Sequence, residues 1–335
     1  MMIANISKVL KLIILRSPKN FILMCILLGV ELLTIALSVF SLIPLADYIL
    51  DPELNNPSKF SKYILEFYKN NNININFFNL GMIFIFGQLL RGVVTSSINF
   101  SILKIKYEFI KKINIDALDT ILYSRWNFFS KANYGKIINT FSKEIDHVGT
   151  TIGHIARSFA SFVQLMFFIS IPIYLNYKVA LIIIFLFMLL AFVVIKFGNP
   201  ISFKFGKANV QTANKLISNF VETLQAAKLI KINNKEKMFK DRHIYKFDNH
   251  VKATLRSQML QQIFNAFYQP IGIVIIVSVF GFFINSEILL SEIAAIFYSL
   301  ISIVSLSNTL VGVQINISNF LPSYEQVENI IKEAR

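Results

Sequence analysis

The sequence predicts an all-α integral membrane protein: six transmembrane helices with long cytoplasmic extensions. Three observations predict it. Of 335 residues, 55% are hydrophobic and the mean hydropathy is +0.58, above the ~45–50% apolar content of soluble chains. The apolar residues gather into six runs, most of them near or beyond the ~20 residues that a bilayer needs. Lys and Arg flank those runs instead of forming a compact patch, which is the positive-inside pattern. A net charge of +14 spread in this way does not point to nucleic acid.

The chain opens with a basic amphipathic stretch. Ile3, Ile6, Val9, Leu10, Ile13 and Ile14 can share one face, with Lys8, Lys11 and Arg16 toward the other. It reads as an elbow helix over 1–19 lying along the inner membrane surface, or as the first turn of the helix that follows. The first span covers about 21–50, with Pro44 near its outer end. It is too long for a signal peptide's core and lacks a small-residue cleavage site, so it is retained. The single cysteine, Cys25, lies inside it, so there is no disulfide framework. Residues 51–76 are polar, and their Lys and acidic residues cancel. Within them Phe60, Tyr63, Ile64, Phe67 and Tyr68 keep helical spacing. That predicts a short external helix, either a lipid-handling element or a packed loop helix.

The second span covers about 77–100 and its helical pattern continues through Ile102, Ile105, Phe109, Ile113, Leu118 and Leu122. At 1.5 Å per residue the helix would be about 70 Å long and extend far from the bilayer. The stretch RWNFFSKANYGKIINTFSKEIDHV, residues 125–148, follows. Asn127, Phe128, Phe129 and Ser130 are expected to break the helix, because Asn and Ser compete for their own backbone. Asn133 and Gly135 are expected to supply positive φ for a sharp reversal. Ile137, Ile138, Phe141, Ile145 and Val148 then recur at helical spacing. Two aromatics on a tight turn far from the membrane are costly to expose. They suggest a knob that docks on a partner, against the alternative of an ordinary loop.

The third span is about 150–174, and Asn176, Tyr177 and Lys178 form a tight outer turn. The fourth, about 179–198, runs on through Phe203, Val210, Leu216, Phe220, Val221, Leu224 and Leu229. The fifth span, about 263–284, contains Pro270. Asn285, Ser286 and Glu287 turn the chain into the sixth, about 289–317. Residues 101–160 carry nine Lys or Arg against five acids, 196–256 thirteen against four, and the first nineteen four against none. These segments are therefore predicted to face the cytoplasm, with both termini.

The 125–148 stretch resembles the first intracellular loop of ABC exporters of the type I fold. Phe128 and Phe129, Gly135, Glu144 and Asp146 stand where that loop carries an aromatic pair, a Gly and two acids. The family usually opens the loop with Pro; Trp126 and Asn127 stand near that place here. NYKVALIIIF resembles the family's short outer hairpin. VETLQAAKLIKINNKEKMFKDR resembles its second intracellular loop, with Glu222, Lys231 and Glu236 matching and Ala226 where Gly is usual, and this resemblance implies a second crossing segment at about 232–243. SYEQVENIIKEAR resembles the end that leads into the nucleotide-binding domain. The resemblance covers nearly the whole chain as one transmembrane domain, 1–335.

The resemblance implies an ATP-driven exporter or flippase of the bacterial inner membrane, working as a dimer, with a homodimer expected. Its coupling residues would be Asn127, Phe128, Phe129, Ser130, Asn133, Tyr134 and Gly135 in the first loop, and Asn233, Asn234, Lys235, Glu236 and Phe239 in the second. They would dock on nucleotide-binding domains that hold ATP and Mg. This chain has no GxxxxGK followed by Ser or Thr and no run like LSGGQ. It is not expected to hydrolyse ATP alone. The ATPase is expected beyond Arg335 in a longer polypeptide, or in a separate subunit.

Charged residues inside spans are costly, at least about 2.5–3.5 kcal/mol unpaired. Glu31 and Arg91 lie at similar depth in antiparallel spans, which suggests an ion pair, or one of them facing a wet cavity. Gln88, Gln164, Gln269 and Gln314, with Asn265 and Tyr268, could line the same cavity. The histidines, His147 and His154 and then His243 and His250, lack an accompanying ligand cluster, so no metal site is predicted. No arrangement for catalysis stands out. The closest-looking branch is the flippases of lipid-linked oligosaccharides and other lipids, from ELLTIALSVFSLIP, Arg91 and the external helix. A pyrophosphate headgroup would want several cations, and Arg91 alone counts against it. Peptide and drug exporters of the same fold remain, and the lack of a preceding peptidase domain argues mildly against leader-peptide processing. A structural subunit or secondary transporter is the alternative outside the family, although Pro44 and Pro270 do not form matching breaks.

Overall fold

The computed structural model describes residues 17–54, 57–71, 74–175, 177–282 and 290–335. The predicted elbow, up to residue 16, lies outside them, as do Asn176 and the turn at 285–287. Ten α-helices are described: α1 Pro18–Leu50, α2 Lys59–Asn70, α3 Phe77–Leu122, α4 Trp126–Lys131, α5 Tyr134–Asn139, α6 Ile145–Leu175, α7 Tyr177–Gln225, α8 Ala227–Ile232, α9 Glu236–Phe282 and α10 Leu290–Ala334. A π-helical turn, Thr140–Glu144, joins α5 to α6 without a break. Among the described residues six helices are long and apolar enough to cross a membrane, as predicted.

The helix ends follow local chemistry. Pro18 sits in the first turn of α1, where its missing N–H costs nothing. Asn76 caps α3 by accepting from the Asn79 amide at 2.8 Å. That helix has 46 residues, hence a length of about 69 Å. It stops at Tyr123 to Arg125, and the Ser124 hydroxyl donates to the Ile121 carbonyl at 2.7 Å. The expected break at Asn127–Ser130 is therefore displaced. Those four residues are helical, in α4, and the preceding Ser124 ends α3.

Lipid is as apolar as Leu, so packing rather than the hydrophobic effect holds such helices together. One core joins Ile35, Val39 and Ile43 of α1 to Phe168 of α6, Ile183 and Phe187 of α7, Ile276 of α9 and Leu300 of α10. A second joins Met24 and Leu28 of α1, Ile102 and Ile105 of α3, Ile145 and Ile152 of α6, and Val313 of α10. It runs on toward the helices' far extensions, called here the arm end. Helices α1, α6 and α10 pass through both cores. At Gly206, α7 meets α10 backbone to backbone: a Cβ there would lie 1.9 Å from the Asn319 carbonyl oxygen.

The short helix predicted between the first two spans exists, as α2, but its faces differ from the expectation. Ser58, Ser61, Leu65 and Tyr68 are buried, while Tyr63 and Phe67 are exposed. The buried carboxylate of Asp47, near the end of α1, accepts from the Ser58 amide at 3.0 Å and from the Ser61 hydroxyl. Tyr68 donates to the Asn79 carbonyl at 2.8 Å. Polar anchoring to α1 and α3 sets the rotation of α2, so Tyr68 faces inward while Tyr63 and Phe67 face out.

Candidate functional site

Two features stand out against the apolar bundle: the arm end and a polar layer between the membrane-crossing stretches. At the arm end, α4 and α5 form the reversal. Asn133 caps α5, its side chain accepting from the Lys136 amide at 2.9 Å and from the Ser218 hydroxyl at 2.8 Å. Its φ is −82°, and no glycine among the described residues has positive φ. The expected left-handed positions are thus not used. Gly135 is needed for another reason, the close approach of α7: a Cβ there would lie 2.3 Å from Ser218 Cα. Tyr134 is exposed beside it.

The aromatic pair is not the exposed knob. Phe128 and Phe129 meet edge to face at 5.5 Å and pack on Ile121 of α3 and Ile330 and Ala334 of α10. The exposed aromatic is Trp126, 81% accessible, with Asn127 and Ser130 exposed nearby. Burying two phenyl rings under the end of α10 outweighs presenting them to solvent. Lys136 and Glu333 add a 3.5 Å ion pair between α5 and α10.

In the second loop, α8 makes the crossing at Ala227–Ile232, earlier than the expected 232–243. Asn233, Asn234 and Lys235 form the turn into α9, and Asn234 is left-handed with φ 51°. Asn tolerates that conformation better than most residues. The Glu236 carboxylate pairs with Lys231 at 3.2 Å. Phe239 already lies in α9. It lines an apolar groove of about 360 Å³ with Phe220, Leu224 and Ile230.

In the membrane-crossing layer, Glu31 is only 1% exposed. It accepts from the Thr95 hydroxyl at 2.6 Å and from the Gln164 amide. Arg91 instead donates to the Tyr298 hydroxyl at 3.0 Å, with its guanidinium 5.5 Å from the Phe168 ring centre. Gln88 donates to the same hydroxyl at 2.8 Å. The expected Glu31–Arg91 ion pair is therefore not formed. Thr95, one helical turn beyond Arg91, takes the place opposite Glu31, and α6 brings a second neutral donor. Gln269 is exposed on α9 and takes no part in these bonds. Gln314 lines a separate cavity of about 310 Å³ with Ser158 and Ser307, between α6, α7 and α10.

A family model for the ABC transporter transmembrane region matches residues 21–308. The chain belongs to this family. No curated protein matches the chain. As an ABC transmembrane domain it pairs with nucleotide-binding domains, which sets aside the structural-subunit and secondary-transporter alternatives.

This ABC transmembrane domain also holds a buried polar knot that the sequence reading missed. Asn139 donates to Glu144 at 2.8 Å and to Asn214 of α7 at 2.7 Å. Asn214 donates to Gln326 of α10 at 2.7 Å, and Gln326 donates to Thr140 at 2.8 Å. Residues five apart on an α-helix point about 140° away from each other. The π-turn brings Asn139 and Glu144 together, and such turns often mark functional places. Asn139, Thr140 and Glu144, within six residues broken by Phe141, were the signal available, but the stretch reads equally as an exposed helix face.

Proposed function

We propose that this domain forms the substrate pathway of an ATP-driven exporter or flippase that moves a lipid or another amphipathic molecule. The observation that carries the reading is the state of Arg91. It is half-buried on a membrane-crossing helix, and among the described residues no carboxylate pairs with it. A half-buried guanidinium beside an aromatic ring suits an anionic or strongly polar head, and the apolar helices around it suit a hydrocarbon tail. One such cation fits a single headgroup better than an extended polyanion.

In this reading two copies assemble in a bacterial inner membrane with their arm ends in the cytoplasm. Trp126, Asn127 and Ser130 on one arm, and Asn233 to Glu236 on the other, seat on nucleotide-binding domains that hold ATP and Mg. Closure of those domains moves the arms, and the long helices carry the motion to the Arg91 layer as rigid bodies. A peptide or drug exporter of the same fold is the second reading, favoured by the mainly apolar cavity around Ser158, Ser307 and Gln314.

The test is reconstitution with the ATPase into proteoliposomes carrying a fluorescent anionic phospholipid. The expected result is ATP-dependent lipid movement that is lost in Arg91→Ala, while ATPase without lipid persists. ATPase stimulated by a cationic dye or a peptide, and indifferent to Arg91→Ala, would favour the second reading.

A further inference from the structure

The polar knot contains a carboxylate that is buried but half-satisfied. Glu144 is 1% exposed. Its Oε1 accepts from Asn139, but among the described residues Oε2 has no donor. Oε2 lies 3.8 Å from Nδ1 of His147. That imidazole, its side chain 20% exposed, is wedged against α10: its ring centre is 4.8 Å from that of Phe320, and Nδ1 is 3.4 Å from the Ser323 hydroxyl. A buried carboxylate oxygen without a donor carries its desolvation penalty uncompensated.

The surroundings of the pair are mixed. Its own helix presents Lys143 and Asp146, and α3 presents Lys106, which pairs with Asp146 at 3.4 Å. Helix α9 presents His250, which lies 3.4 Å from Lys143 and 3.1 Å from Thr212 of α7. Helix α7 adds Asn214, and α10 adds Ser323 and Gln326, all uncharged. Burial holds the His147 imidazole below its ordinary pKa; Lys143 and Lys106 act in the same direction, while Glu144 and Asp146 oppose them. All these groups lie outside the apolar run of α6 that begins at about residue 150.

We propose that Glu144 and His147 form a proton-binding site that controls how firmly the first arm is seated on α10. One proton from water adds to the bare ring nitrogen of His147; no bond breaks, and the charge of the site rises by one. The neutral ring suits the wedge between Phe320 and Ser323. An imidazolium is better served by water, and Glu144 offsets only part of that preference. The sign follows from linkage. Seating lowers the ring's proton affinity, so seating is strongest where the ring is neutral and is lost as the pH falls through its folded-state pKa. Acidification therefore loosens the arm. This concerns regulation of the arm and does not depend on which substrate is moved.

The test reads the arm directly. Nitroxides are placed at Ile138 and Tyr324, both exposed, in the full chain carrying Cys25→Ala, in lipid nanodiscs. Distances are measured by pulsed electron paramagnetic resonance at about pH 7.5 and about pH 5.5, a range that a histidine crosses. One short distance is expected at the higher pH. A longer population should grow on acidification, by up to about tenfold per pH unit for a single proton. His147→Gln should keep the short distance at both pH values. Glu144→Gln should move the midpoint lower, because the carboxylate no longer attracts the proton. His250→Gln should leave the response in place. A distribution indifferent to pH in the unaltered chain overturns the proposal. So does a response that survives His147→Gln or disappears in His250→Gln. If His147→Gln does not fold, a carbon-13 histidine NMR titration of the unaltered chain decides. His147 must then titrate with the midpoint of the distance change, and a different midpoint overturns the assignment.

Discussion

Glu31 and Glu144 are both 1% exposed, yet they are held in opposite ways. Glu31 sits among membrane-crossing stretches with a donor for each oxygen, Thr95 on one and Gln164 on the other. Glu144 sits at the arm end with a donor for one oxygen and an imidazole near the other. The difference teaches how to read a buried carboxylate. Where each oxygen has a donor, its bonds are already made and its role is to hold α1, α3 and α6 together. Where one oxygen is open, the group can still respond.

The contrast can be broken experimentally, and the largest effect should come from Glu31→Ala. That change orphans two half-buried donors and should destabilise the domain by about 3 kcal/mol, read as earlier thermal unfolding in nanodiscs. Stability close to the unaltered chain would place Glu31 with Glu144 as a responsive group. Next, a double-mutant cycle of Glu31→Ala with Thr95→Val should give a coupling energy of about 1 kcal/mol. The corresponding cycle with Arg91→Ala should fall below about 0.5 kcal/mol, since the two side chains have separate partners. Equal couplings would show that the layer behaves as one network. The smallest stability effect should be that of Trp126→Ala, within about 0.5 kcal/mol for an exposed side chain. If Trp126 docks on a nucleotide-binding domain, this variant should nevertheless lose substrate-stimulated ATPase, and unchanged stimulation would remove it from the docking surface.

The six long helices were legible because apolar runs and flanking cations state them directly, residue by residue. What failed depended on rotation about a helix axis. Depth placed Glu31 and Arg91 together, but depth does not fix azimuth, and Thr95 one turn away faces Glu31 instead. The faces of α2 failed in the same way, because Asp47 rotates the helix toward Ser58 and Ser61. The π-turn was hidden because Ile137, Phe141 and Ile145 keep a four-residue spacing that an α-helix also allows. Gly135 was singled out for its backbone freedom; its use is the near contact with Ser218, which belongs to another helix and leaves no mark in the local sequence. At the two loops, the family resemblance marked the segments but could not say that Phe128 and Phe129 turn inward while Trp126 turns out.

The crossing at Gly206 has a consequence for variation. With a Cβ only 1.9 Å from the Asn319 carbonyl, the distance between α7 and α10 is fixed by the absence of a single carbon atom. Every other amino acid at 206 must push the two helices apart. In a saturation library this position should behave as a gauge, with survival falling first at Ala and then more steeply as side chains grow. Trimming side chains on the facing turn of α10 should not rescue these variants, because the atoms met are the main chain of Asn319.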